Sequence, residues 1–150
     1  HCSVRRQRQM CIRDRIMAID FKKYEQFVDA VTSDSSKDFV ALADRMGELD
    51  RQGACIERLT TAGIGLAAES GEFLEIVKKM VFQGKPWNDD NREHLIIELG
   101  DVMWYVANAC IALGVDFDDV VKGNVKKLEK RYPGGSFSVE KSEVRAKGDR

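Results

Sequence analysis

The residues best placed to do chemistry are four acids in two short signatures. Glu69-Ser-Gly-Glu72 sits within GIGLAAESGEFLEIV, and Glu98-Leu-Gly-Asp101 within HLIIELGDVMWYVA. In each, two carboxylates three residues apart share one helix face. Ionised carboxylates enter apolar surroundings only when paired or bound to a cation. If the two segments pack together, the four acids converge into a site for a hard divalent metal.

A helical wheel at roughly 100° per residue tests whether that face is covered. From Glu98, Asp101 and Tyr105 fall close by on one side, with Ile97 and Trp104 beyond them. Leu95, Val102 and Ala109 flank the other side, and Ile96, Leu99, Met103 and Val106 fill most of the remainder. Apolar side chains thus border the acidic stripe on both edges. Glu69 is set similarly among Ala62, Leu66, Phe73, Ile76 and Met80. A single Glu-x-x-Glu would read as a solvated surface. Two such motifs, each embedded in apolar sequence, favour a metal site.

The elements that must position these acids are helical. The chain has 150 residues, 43% hydrophobic and 33% charged, which suits one globular domain with a real core. Only two prolines occur, and Ala, Leu, Glu and Lys favour helix. No period-2 stretch is convincing and no internal repeat stands out, so the expected architecture is an all-α bundle. A net charge of -1 gives no bulk attraction to nucleic acid or membrane. No apolar run approaches the roughly 20 residues that span a bilayer. Cys2, Cys11, Cys55 and Cys110 form no Cys-x-x-Cys pair, and Cys110 lies in an apolar helix as a small core residue. A reduced, cytoplasmic protein without structural disulfides is expected.

Residues 1–16, HCSVRRQRQMCIRDRI, differ in composition from the rest, and MCIRDR resembles translated sequencing-adapter read-through. They lack the apolar segment of a secretory signal. The expectation is a non-native or disordered leader, with Met17 the natural start. Asp20 can cap a first helix carrying Phe21, Tyr24, Phe27, Val28 and Val31, broken by Thr32–Ser36. A second presents Phe39, Leu42, Ala43, Met46 and Leu49, with Gly53 as terminator. The third, about Ile56 to Phe82, carries the first acid pair. Gln83–Asp90 is a loop. The fourth, about Asn91 to Leu113, carries the second pair and ends at Gly114. Asp116 caps a fifth reaching about Tyr132, where Pro133-Gly134-Gly135 stops it. The domain is read as 17–132, with a polar, loosely held tail at 133–150.

With the acids and helices in place, the sequence resembles the MazG-like, all-α nucleoside triphosphate pyrophosphohydrolases. The resemblance rests on Glu69-x-x-Glu72, on Glu98-x-x-Asp101 within ELGDVMWY, and on Asn124-Val-Lys-Lys127-Leu-Glu-Lys-Arg131-Tyr132-Pro133, and covers about residues 55–137. KKMVFQGKPWN and RYPGGSF are most similar to the MazG-like proteins of tailed phages. The resemblance implies a four-helix-bundle-type fold completed by oligomerisation, as homodimer or homotetramer. It implies hydrolysis of a (d)NTP to the monophosphate and pyrophosphate with Mg²⁺, or alternatively Mn²⁺. By motif matching, Glu69, Glu72, Glu98 and Asp101 would be the catalytic acids and metal ligands. Asn124, Lys127, Arg131 and Tyr132 would match the nucleotide-contacting C-terminal helix. One departure is Ala68, where many members carry a further glutamate.

These residue types suit that chemistry. Mg²⁺ takes oxygen ligands and keeps several waters, leaving positions for phosphate oxygens and an attacking water. The transition state needs positioning and charge stabilisation. Lys127 and Arg131, four apart, could contact phosphate, although cations also complement a helix C-terminus. Trp87, in a loop, is a candidate for base contact, with Asn88 beside it as companion or turn former. Trp104 is expected to pack. Lys78 and Lys79 could attract phosphates, or Lys79 could pair with Glu75. His94 invites a di-iron reading, but neither motif supplies Glu-x-x-His, so it is read as ordinary. The partners expected are a nucleotide and further copies of the chain, with no nucleic acid or membrane. Hydrolysis of an alarmone or modified nucleotide on the same scaffold, or a non-catalytic nucleotide-binding or assembly module, stand as alternatives.

Overall fold

A computed structural model describes residues 19–144, and every regular element among them is helical. The chain divides into two units, residues 1–46 and 47–150. The leader at 1–16, with Cys2 and Cys11, and the start expected at Met17 lie outside the described residues.

In the first unit, α1 spans Phe21–Val31. Asp20 caps it as expected, its Oδ1 accepting from the Lys23 amide at 3.2 Å. The polar run after it forms a short 3-10 turn, Asp34–Ser36. Lys37 Nζ reaches back to the Asp29 carbonyl at 2.8 Å and so ties the turn to the end of α1. Asp38 then caps α2, Phe39–Arg51, through the Ala41 amide at 2.8 Å, and the last turn of this helix belongs to the second unit. Gly53, at φ +90°, follows its end.

The second unit is built on two long helices, α3 (Ile56–Gln83) and α4 (Asp89–Leu113). Gly84 and Gly114 take φ of +73° and +65° just after them, a left-handed conformation that glycine adopts without steric cost. At Gly84 the Lys85 amide donates to the Lys79 carbonyl at 3.1 Å, satisfying an acceptor the helix would otherwise leave open. The turn between the helices is shorter than the sequence suggested, because Asn88 Oδ1 accepts from the Asn91 amide at 3.0 Å and starts α4 at Asp89. Asn91 is itself buried, with Nδ2 donating to the Pro86 carbonyl at 2.6 Å.

The two helices run antiparallel. Arg58 donates to Asn108 Oδ1 at 2.8 Å near the start of α3 and the end of α4. Further along, Gly65 meets the ring of Tyr105 so closely that a Cβ there would overlap it. Ala62, Gly65, Ile76 and Cys110 are buried in the seam, Cys110 as the small core residue expected. No other helix pair among the described residues packs along its length as these do. Trp104 departs from its expected packing role: it is 57% exposed, turned away from α3 and set edge-on to Tyr105 with ring centres 4.8 Å apart.

α5 covers Phe117–Arg131 and ends at Tyr132. Asp116 holds its N-cap position, but its side chain makes no capping bond; its carbonyl accepts from the Asp119 amide instead. Tyr132 packs against Phe137 at 5.8 Å between ring centres, and Ser138 caps a short α6, Val139–Glu143.

Candidate metal centre

The antiparallel register of α3 and α4 is what brings the acids together. Gly65 lies one turn before Glu69, and Tyr105 one turn after Asp101, so their close approach sets the helix spacing beside the carboxylates. Glu69, Glu72 and Glu98 each offer a carboxylate oxygen, all within 4.8 Å of one another. Glu98 is 5% exposed, Glu69 is half-buried and Glu72 is exposed. The site is therefore dry on one side and open on the other. Asp101 lies outside that tight group and is exposed, although its charge still acts on Glu69.

The electrostatics match the geometry. Partial burial, and then the negative charges of Glu72, Asp101 and Glu98, push the Glu69 carboxyl above its ordinary range. Among the described residues, no lysine or arginine ion pair reaches these four acids. Like charges gathered without a lysine or arginine partner are what a divalent cation relieves. Two oxygens on one Mg²⁺ stand about 3 Å apart when adjacent and about 4 Å when opposite, so small side-chain movements suffice to close the set.

His94 was read from sequence as ordinary, and the structure places it against this site. Its Nε2 is 3.0 Å from Glu98 Oε1. The signal was available as the four-residue spacing from His94 to Glu98, which puts both on one helix face. Lys79 takes its blander alternative. It pairs with Glu75 at 3.1 Å, with Lys78 at 3.8 Å from the same oxygen, and these cations hold the Glu75 carboxyl below its ordinary range.

The substrate-contact candidates are not gathered in the same way. Asn124, Lys127 and Arg131 lie on α5 and Tyr132 at its end, and α5 is not packed along the α3–α4 pair. Trp87 is 69% exposed in the turn before α4, free of the seam. Its neighbour Asn88 serves as the helix cap, which accounts for that residue without a ligand. By length and composition alone α4 is apolar enough to cross a membrane, more so than the sequence reading allowed. Its buried Glu98 faces the acids of α3, while Asp101 beside it is exposed.

The family model of the MazG nucleotide pyrophosphohydrolase domain matches residues 58–136, from the first turn of α3 to just beyond α5. The chain is also similar to the Gene 37 protein of Mycobacterium phage L5. The two are 40% identical over 82 residues, covering 53% of this chain and 71% of that protein. No solved structure matches the chain.

Proposed function

The chain belongs to the MazG nucleotide pyrophosphohydrolase family, and from that premise we propose that it cleaves a nucleoside or deoxynucleoside triphosphate to the monophosphate and pyrophosphate with Mg²⁺. The observation that carries the reading is the carboxylate triad of Glu69, Glu72 and Glu98, oxygens within 4.8 Å, with Asp101 at its edge. All-oxygen, anionic donors fit a hard cation better than a soft one. Glu69, Glu72 and Glu98 would hold the ion, and Asp101 would join them when the site closes. The bound ion would neutralise phosphate oxygens and lower the pKa of an attacking water.

The chain's own groups supply position. Burial fixes Glu98, so one ligand is held in place before any ion arrives, which lowers the ordering cost. Exposed Glu72 and Asp101 keep the opposite side open to a triphosphate. Lys127 and Arg131 lie four residues apart and would contact phosphates, with Asn124, Tyr132 and Trp87 toward the nucleoside. α5 would deliver the first four by docking against the α3–α4 pair of its own or a neighbouring chain.

The second choice is supported by unsatisfied apolar surface. Ile64, Leu74, Ile97, Met103, Trp104 and Ile111 all stand exposed on α3 and α4. Each is roughly half exposed, so covering it is worth on the order of 1 kcal/mol. Two such helix pairs facing each other would complete a four-helix bundle in a homodimer or homotetramer. A cytoplasmic location, in the host when the gene is phage-borne, accords with a nucleotide substrate.

Pyrophosphate release from a panel of NTPs and dNTPs, with Mg²⁺ or with EDTA, tests the proposal. Metal-dependent turnover is expected, and Glu98→Gln should abolish it while leaving the protein folded and helical. Full activity in EDTA, or in Glu98→Gln, refutes it. Turnover confined to an alarmone or modified nucleotide would move the substrate but keep the site. Nucleotide binding without turnover would favour a non-catalytic module.

A further inference from the structure

We propose that His94 is a positioning residue for the metal centre: it donates a hydrogen bond that orients the buried Glu98 carboxylate toward the ion. The inference rests on the reading of Glu98 as a metal ligand. Its own observation is the 3.0 Å contact between His94 Nε2 and Glu98 Oε1, one turn apart on α4. An ionised carboxylate can only accept, so the ring nitrogen facing it carries the proton, whatever the state of the other nitrogen. Among the described residues, His94 is the side-chain donor to Glu98.

The arrangement divides the labour of the two oxygens. A carboxylate whose side chain is 7% exposed has few ways to satisfy its lone pairs. One oxygen held by the imidazole would fix the rotation of the group and leave the carboxylate's remaining lone pairs for the ion. His94 itself is outside the group of three acids whose oxygens lie within 4.8 Å of one another, so its place is behind a ligand. With its side chain 50% exposed, it contributes little packing that a substitution would remove. Partners that orient ligands in this way commonly change metal affinity about 10–100-fold when removed.

The test is calorimetric titration of the full chain with Mn²⁺ and with Mg²⁺, no nucleotide present, alongside melting without metal. His94→Leu, which fills the space without a donor, should weaken affinity about 10–100-fold, more than any fall in metal-free melting accounts for. His94→Gln, whose amide can donate along the same helix face, should recover most of the affinity. A structural role would instead move metal-free melting in both variants and leave affinity in step with it. Wild-type affinity in His94→Leu, or a His94→Gln as weak as His94→Leu, overturns the proposal while the carboxylate site stands. Failure of the wild-type chain to bind either ion overturns the site and this inference together.

Discussion

Substituting Gly65 by Ala probes the contact that sets the distance between α3 and α4. The Tyr105 ring occupies the place of a Gly65 Cβ, with Cε1, Cδ1 and Cζ all inside any real contact distance. Ordinary carbon–carbon contact is about 3.5–4.0 Å, so ring or helix must retreat by more than about 1 Å. Overpacking of that kind costs about 1–3 kcal/mol. The substitution also removes glycine from a helix interior, which by itself stabilises by about 1 kcal/mol. Gly63 separates the two effects, since it lies on the same helix with open space around it. Gly63→Ala should therefore gain up to about 1 kcal/mol, and Gly65→Ala should fall about 1–3 kcal/mol below it. Denaturant unfolding of the three proteins measures that gap directly. The same retreat lies one turn from Glu69 and Asp101, where a displacement of about 1 Å can cost on the order of 100-fold in turnover. Combining Gly65→Ala with Tyr105→Ala should recover stability beyond the sum of the single changes. Equal stability of Gly65→Ala and Gly63→Ala would refute the claim that this approach fixes the helix spacing.

Glu69 gives the metal-free protein a signature in pH. Its folded pKa lies above the ordinary 4.5 of an unfolded glutamate, so the folded state binds the proton more tightly. Above both values the crowded charge is a full penalty; as pH falls through the raised value the penalty is relieved, and below 4.5 it is gone. Without metal, melting of wild type relative to Glu69→Gln should therefore improve on mild acidification, and a difference independent of pH would contradict the charge crowding. Adding Mg²⁺ at about 100 times its dissociation constant should stabilise the fold by about 2.7 kcal/mol, reversibly with EDTA; Glu98→Gln should show no such gain in a melting scan. Asn88→Ala removes the α4 cap and should cost about 0.5–2 kcal/mol in denaturant unfolding, whereas an unchanged midpoint would mean the Asn91 amide finds another acceptor.

Sequence alone determined the helices, because their signals are local. Asp20 as a cap, the breaks at Thr32 and Gly84, the stop at Gly114 and the Glu75–Lys79 pair all act within a few residues along the chain. The acid signatures were equally legible, since spacing of three places two carboxylates on one face. Local rules cannot say how one helix lies on another. Only the tertiary structure decided that Glu72 and Glu98 meet while Asp101 stands at the edge, that His94 leans on Glu98, and that Trp104 faces outward. The physical reason is register. α4 is apolar nearly all round, so its hydrophobic pattern leaves the seam undetermined, and the contact of Gly65 with Tyr105 selects which stripe becomes the interior.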